Sequence, residues 1–245
     1  GIVWRGVDGE PVYSSFKDQH GLPAEPGHIT KVLEYKSADG SIHRLVLTEG
    51  QQLFWDGQAV LENCTSLCIE KEFDFLVCTS MTQGLFDQLH IHSLSDPSRA
   101  ANALSRLPTT STGKDHRVRN AERGSEIVSL SGQRLVFELP RGNLEVVYPK
   151  LLLFQELKRL IVEERDFLAA YKEIRRHKLD MNLIVDIAPA IFAEELSSGK
   201  LLKVFRKTDD INLVLNSLEK DLAGDLQYIY TAEELAQKKA ESDGL

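Results

Sequence analysis

The sequence predicts a β-then-α chain, and three observations carry that expectation. Apolar residues alternate with period two in short segments up to Tyr148. Turn-forming pairs such as Asp39-Gly40, Glu49-Gly50, Asp56-Gly57, Gln83-Gly84, Ser131-Gly132 and Gly142-Asn143 separate those segments. From Pro149 onward the apolar residues fall at helical spacing instead.

The candidate strands are residues 42–48, 52–55, 65–70, 73–79, 85–92, 126–130, 133–139 and 144–148. Many short strands at close spacing fit a sandwich, a barrel or propeller blades. Phe54-Trp55-Asp56-Gly57 places a Trp-Asp pair at a strand end, as propeller blades often do. Residues 95–123 interrupt the pattern. They are rich in Ser, Thr, Ala and Arg and poor in large apolar groups, so the expectation there is a long, mobile loop with one helical turn near 99–104.

In the second part, Leu153, Leu157, Leu160 and Ile161 share one face of a first helix. Asp166 can cap a second helix that turns Phe167, Tyr171 and Ile174 inward, with Arg175, Arg176 and His177 at its negative end. Asp180 can cap a third, running through Leu183, Ile184 and Ile187. Pro189 starts a fourth that Ser197-Ser198-Gly199 stops. Further short helices are expected over 201–206 and 211–218. Thr231 and Glu234 form a capping box for a last one. Short helices with short connections and one apolar face each describe a stacked solenoid, although no repeat period stands out.

Bulk properties narrow the function. The chain has 245 residues, is 42% hydrophobic and carries a formal net charge of -8. Residues 1–148 hold 14 basic and 19 acidic side chains, and residues 149–245 hold 15 and 18, so neither part has the basic excess of a stand-alone nucleic-acid binder. No run of eighteen apolar residues occurs, so no membrane-spanning helix is expected, and the first residues lack the pattern of a signal peptide. Three cysteines without a secretory signal fit reduced thiols in an intracellular protein.

Candidate sites are few. Cys64-x3-Cys68 with His90-x-His92 can be drawn as a metal site, but Cys68 alternates with Leu67 and Ile69 within a strand and the spacing lacks a knuckle turn. Buried structural thiols and solvated histidines are the expectation. Lys114, His116, Arg117, Arg119 and Arg123 form the one dense basic cluster, assigned to the loop. Lys114, Arg117, Arg119 and Arg123 are the candidate contacts for RNA phosphates or an acidic partner, and a solvated loop is the competing account. Ser198-Gly199-Lys200 reads as a helix stop, since a phosphate loop would need an earlier glycine and a preceding strand. Glu163-Glu164, Glu194-Glu195 and Asp209-Asp210 read as solvated helix surfaces and caps. No catalytic residue, cofactor-binding residue, metal ligand or cofactor is assigned.

The stretch around the change of period is more specific. Arg123-Gly124-Ser125 precedes Pro140-Arg141-Gly142-Asn143-Leu144-Glu145, followed by a helix and then by Asn182-Leu183-Ile184, Asp186 and Pro189. This order resembles the largest, scaffold (IKAP-type) subunit of the Elongator complex, specifically over residues 122–218. The chain departs from the family at Lys150, where an arginine is usual, and at Asp186-Ile187-Ala188-Pro189, where the family has Asp-His-Asn-Pro. Both departures sit at helix starts, where capping is expected to survive.

The resemblance implies a fold of partial WD40-like β-propeller blades followed by an α-solenoid of short helices. Residues 1–148 would be the C-terminal blades of a second propeller, and residues 149–245 the start of the solenoid. It also implies a non-catalytic scaffold in a complex that modifies the wobble uridine of tRNA. The implied partners are the catalytic radical-SAM/acetyltransferase subunit, a second propeller subunit and, through the complex, tRNA, with homodimerisation through regions outside this chain. A cytoplasmic location, with the nucleus as a second compartment, goes with it. The competing class is a vesicle coat or tethering scaffold, which also joins propellers to solenoids, and the Pro-Arg-Gly-Asn-Leu-Glu motif disfavours it. An enzyme is the third class, disfavoured because no nucleophile, metal or phosphate motif is present.

Overall fold

In a computed structural model that describes residues 28–37, 39–105, 116–201, 224–230 and 232–243, strands precede helices. The chain divides into two compact units, one ending at Pro149 and the other beginning at Lys150.

The first unit is built of antiparallel meanders. Strands β1 (Ile29–Lys36), β2 (Ile42–Thr48), β3 (Leu53–Trp55) and β4 (Gln58–Leu61) form one sheet in chain order. Strands β5 (Cys64–Glu70), β6 (Phe75–Ser80), β7 (Phe86–Ser93) and β8 (Val118–Glu122) form a second. Strands β9 (Glu126–Ser131), β10 (Arg134–Glu138) and β11 (Leu144–Val147) form a third. Neighbours in sequence pair because short turns can join only antiparallel strands. The Trp-Asp-Gly segment shows how. Asp56 and Gly57, at φ 48° and 83°, make the two-residue turn between β3 and β4, with Trp55 opposite Gln58. The Asp56 carboxylate then reaches back over β2, accepting from the Arg44 amide at 2.7 Å and meeting His43 Nδ1 at 2.7 Å.

The second sheet lies between the other two. One of its faces carries Leu67, Leu76 and Cys78, which join Tyr35, Leu45, Leu47, Leu53 and Trp55 of the first sheet in a single core. On the other face Ser66 Oγ accepts a hydrogen bond from the Ile127 amide of β9 at 3.0 Å, and Glu70 accepts from the Gly132 amide at 3.1 Å. Between β1 and β5, the Lys31 ammonium donates to the Leu67 carbonyl at 2.7 Å.

Residues 95–123 are not one loop. Helix α1 (Pro97–Ser105) buries Ala100 and Leu104 in the core between the first two sheets, and β8 completes the second sheet. The helix was obscured because alanines, small apolar groups, carry its inner face. The strand was obscured because Val118-Arg119-Asn120-Ala121-Glu122 is a polar edge, with Ala121 as its buried side chain. Residues 106–115 lie outside the described residues. Strands β1 and β4 were also unanticipated, β4 because its four residues are too few for a periodic signal.

The β10–β11 hairpin has a three-residue loop. Gly142 donates to the Leu139 carbonyl at 2.8 Å, and Leu139 donates to the Asn143 carbonyl at 2.8 Å. Pro140 presets the first corner, and Gly142 takes positive φ, 79°, to re-enter the ladder. Asn143 is not in that region, so the turn is one residue longer than a Gly-Asn pair alone would make. Leu135 and Phe137 of β10 are buried, as their alternation requires.

The second unit starts with α2 (Lys150–Lys158), two residues after β11. Besides Leu153 and Leu157, it buries Leu151, Leu152 and Phe154, so its apolar surface is wider than the single expected face. It runs into a π turn (Arg159–Glu163) in which Glu164 donates to the Arg159 carbonyl at 3.1 Å. Asp166 caps α3 (Phe167–His177) as expected, accepting from the Ala169 amide at 2.9 Å, and Phe167, Tyr171 and Ile174 face inward. Asp180 instead accepts from both the amide and the side chain of Asn182, each at 3.0 Å, which shapes the turn into α4 (Leu183–Asp186). Pro189 opens α5 (Pro189–Ser197), but Ala188 before it offers no side-chain cap, so the expected survival of capping at Asp186-Ile187-Ala188-Pro189 does not hold. A 3-10 turn (Gly224–Tyr228) and α6 (Ala232–Asp243) follow. Apart from Leu201, the helices expected over 201–206 and 211–218, and the Thr231 cap, lie outside the described residues.

The hairpin supplies a test of register. A Cβ at Gly142 meets no atom within 4 Å, so strain at φ 79° is the sole penalty of substitution. Gly142→Val should cost about 1–3 kcal/mol, because a β-branched residue is strained there. Arg141→Ala should cost less than about 0.5 kcal/mol, since the side chain is exposed and its contact with Glu122 is a surface pair. Urea unfolding of both variants in a longer protein carrying the whole propeller measures the difference, and equal losses would contradict the hairpin geometry.

Candidate functional site

The residues that set this sequence apart meet at turns. Between β8 and β9, Arg123-Gly124-Ser125 carries the chain from the second sheet to the third. The Arg123 guanidinium donates to the carbonyls of Gly84 and Thr82 at 3.3 and 3.4 Å, in the turn between β6 and β7. Gly124 sits at φ 78° and donates to the buried Asp87 carboxylate at 2.8 Å. A Cβ on Gly124 would stand 3.3 Å from Pro140 Cγ, so this turn and the β10–β11 turn abut closely. The Ser125 hydroxyl, 1% exposed, donates to the Glu122 carbonyl. The two motif segments, fifteen or so residues apart, therefore touch and lock adjacent sheets together.

The basic cluster does not lie in a free loop. Arg119 is on β8, opposite Leu89, with an exposed side chain. Arg117 precedes the strand by one residue, and its carbonyl accepts from the Ile91 amide at 2.9 Å. Arg117, in the turn before the strand, and Arg119 are both exposed. Arg123 is at the next turn with its guanidinium on the two carbonyls. Lys114 lies outside the described residues.

His90 and His92 are buried, not solvated, because β7 is an interior strand. Their rings stack at 6.5 Å, and His90 Nε2 is 2.7 Å from Ser80 Oγ. Burial, with the neighbouring His92, depresses the His90 pKa to about 3. The cysteines are free thiols, as expected. A hydrogen bond to Cys64, with burial, holds the Cys78 thiol well above its usual range, and burial raises Cys68. Both stay protonated at neutral pH and are poor nucleophiles. Among the described residues no group of three His, Cys, Asp or Glu side chains is placed to hold a metal ion.

In the helical unit Glu163, Glu164 and Glu194 are exposed, as expected of solvated faces, whereas Glu195 is buried. Glu164 pairs with Arg159. Glu195 is 4% exposed and accepts from Lys200 and Arg165, each at 3.1 Å, and those bonds hold its carboxyl below the usual range. Arg165 also reaches Glu194 at 3.0 Å. Asp209-Asp210 lies outside the described residues. Tyr230 ties later residues of the helical unit to earlier ones. Its hydroxyl donates to the Ile187 carbonyl at 2.8 Å, and the Lys158 and Lys238 ammonium groups sit 4.8 and 4.5 Å from its ring centre. No sequence signal marked Tyr230, Ser80 or Asp87, since each acts through partners distant along the chain.

The arrangement is suited to holding shape. Comparison with known proteins agrees in kind. A family model described as the ELP1 N-terminal second beta-propeller matches residues 7–128, and one described as the ELP1 alpha-solenoid matches residues 150–244. The second match runs past residue 218, where the motif resemblance ends. Elongator complex protein 1 of Mus musculus is 27% identical over 212 residues, covering 84% of this chain and 15% of that protein. The Saccharomyces cerevisiae protein of the same name is 33% identical over 118 residues, covering 47% of this chain and 8% of its own. That of Arabidopsis thaliana is 35% identical over 69 residues, covering 27% and 5%. The chain thus spans a small part of the length of the curated relatives it matches.

Two outcomes follow from these contacts. Because His90 has a folded pKa below its unfolded value of 6.5, the unfolded chain binds more protons under acid conditions. Stability should be unaffected by this group above pH 6.5 and fall by on the order of 3 kcal/mol between pH 6.5 and pH 4. Denaturant melts across that range, with His90→Gln flattening the slope, check it. Gly124→Ala should cost about 1–2 kcal/mol, from positive φ and the approach to Pro140, and more than Ala at exposed Arg119. Calorimetric Tm values of the two variants give the comparison.

Proposed function

Because this chain belongs to the Elongator complex protein 1 family, we propose that it is the segment of a scaffold subunit in which the last blades of the second propeller, residues 1–148, hand over to the solenoid, residues 149–245. The observation that carries this reading is the succession of the two matches, propeller then solenoid of one family, on a chain that passes from β11 to α2 with two residues between.

In this role the segment supports modification of tRNA wobble uridine without catalysing it. The assembly would contain a catalytic radical-SAM/acetyltransferase subunit and a second propeller subunit, and would bind tRNA and dimerise through other regions. It would act in the cytoplasm, with the nucleus as a second site. The exposed Arg119 beside Arg117, with Lys114 upstream and Arg123 at the following turn, is the part of the segment offered to RNA phosphates or an acidic partner. What supports a supporting role is chemical: the Cys68 and Cys78 thiols are protonated, the buried His90 is neutral, and the buried Glu195 of the helical unit is held in ion pairs.

Deleting residues 28–245 from the full-length protein should abolish carboxymethyl-type modification of wobble uridine, read by mass spectrometry of digested tRNA. Normal modification would overturn the assignment. Affinity recovery of the full-length protein should bring down a multi-subunit tRNA-modifying assembly. Recovery of vesicle-coat or tethering subunits instead would establish the other class of propeller–solenoid scaffold.

A further inference from the structure

The turn between β6 and β7 displays apolar side chains without covering them. Leu85 is 86% exposed, Phe86 52% and Met81 36%. A single exposed leucine is ordinary in a folded protein. Three large apolar groups within residues 81–86 form a cluster, and hydrating it costs free energy that folding does not recover.

The turn is held rigid. The Thr82 hydroxyl donates to the Phe86 carbonyl at 2.5 Å and accepts from the Gly84 amide at 3.1 Å. The Met81 amide donates to the Asn63 carbonyl at 2.8 Å. The Arg123 guanidinium grips the Gly84 and Thr82 carbonyls. A partner would therefore meet a preformed surface and forfeit little entropy in ordering it. Charge is divided across the turn. Exposed Glu62, beside Asn63, lies toward β5, and Arg123 lies toward β8. Both bonds of Arg123 go to neutral carbonyls, and the adjacent carboxylate, Glu122, is 3.9 Å from Arg141. Among the described residues no ion pair offsets the Arg123 charge, and its remaining N–H donors can still serve a ligand.

We propose that this turn docks a segment of another protein in which a large apolar side chain, seated on Leu85 and Phe86, lies a few residues from an Asp or Glu carboxylate that accepts from Arg123. The surface selects that occupant. Its most exposed group, Leu85, is aliphatic and offers no ring on which a base can stack, and Glu62 and Glu122 repel a phosphate chain, which disfavours RNA. A second copy of this chain, meeting the same surface about a two-fold axis, would bring Arg123 toward Arg123. An acidic, apolar segment satisfies the cation and the apolar pair together, and an arginine beside an aromatic ring is the composition of a binding hot spot. The inference rests on the reading of Arg123 as a contact for an acidic partner and not on the tRNA assignment, so its failure would leave the modification experiment unaffected.

The test uses the full-length protein. A displayed library of random dodecapeptides, selected on it, should yield sequences with Asp or Glu near a large apolar residue. Leu85→Ser should weaken binding of a selected peptide by about 10-fold or more. Leu85→Asp, which repels the peptide carboxylate, should lose more than Leu85→Lys, although both remove the same apolar contact. Since the side chain is exposed, all three variants should melt within about 1 °C of the parent. In cells, a benzophenone amino acid in place of Leu85 should cross-link to a segment of that composition in another protein. A library that yields no binder, or peptides rich in Lys and Arg, would overturn the proposal. So would peptides that bind the Leu85 variants as tightly as the parent, or equal losses for Leu85→Asp and Leu85→Lys. Cross-links confined to RNA, to a second copy, to the same chain or to segments without a carboxylate would overturn it as well.

Discussion

Every residue of β6, from Phe75 to Ser80, is buried, and a strand buried on both faces needs a sheet on each side. That requirement organises the strand-rich unit. Leu76 and Cys78 turn to the core shared with the first sheet, and the alternate residues turn the other way, toward the third. The period of two places neighbours on opposite faces, so a one-residue slip of β6 would exchange both sets at once. The two polar residues of β6 are both hydrogen-bonded. Thr79 is bonded to Ser66 at 2.6 Å and Ser80 to His90 at 2.7 Å, since unpaired polar groups at such depth would destabilise the stack.

The motif residues gain their meaning from that stacking. Arg123, Gly124 and Pro140 are near the seams between sheets, where sequential meanders must be tied to one another by something other than ladder hydrogen bonds. An arginine with several donors can satisfy two carbonyls of a neighbouring turn at once. A glycine permits the close approach of a proline ring that a side chain would crowd. Such residues look like functional surface in a sequence, because they are polar, charged or small and lie in turns, yet their geometry is that of fasteners.

Much of the architecture was legible in the amino-acid order. Strands with alternating large apolar residues, such as β2, β6 and β10, and the helix capped by Asp166 could be read directly, because local periodicity and capping chemistry coincide with the tertiary answer. Polar or brief elements could not. Strand β8 has an edge to solvent and so lacks an apolar stripe, and α1 packs through Ala100 and Leu104, a signal too weak to separate from a loop. Site-level reading failed for a related reason. His90, His92 and Glu195 are hydrophilic by type, and whether such a side chain is solvated depends on neighbours contributed by other elements. The burial of His90 is decided by β6 and β8 on either side, and that of Glu195 by Arg165, thirty residues earlier.

The meander order of the strands also has a consequence in time. In the first and second sheets every strand pairs with its immediate neighbour in sequence, so nearly all ladder contacts are short-range and each sheet can assemble soon after its last strand leaves the ribosome. The helix between β7 and β8 is the exception. Strand β8 must wait for the intervening segment to be synthesised before it can join the second sheet, so that sheet exposes the edge of β7 for longer than any other interior edge in the unit. His90 lies on that strand, and its ring keeps the ordinary imidazole pKa of 6.5 until burial lowers it. Burial of His90, whose pKa is depressed in the folded chain, would thus proceed more readily at neutral pH than in acid.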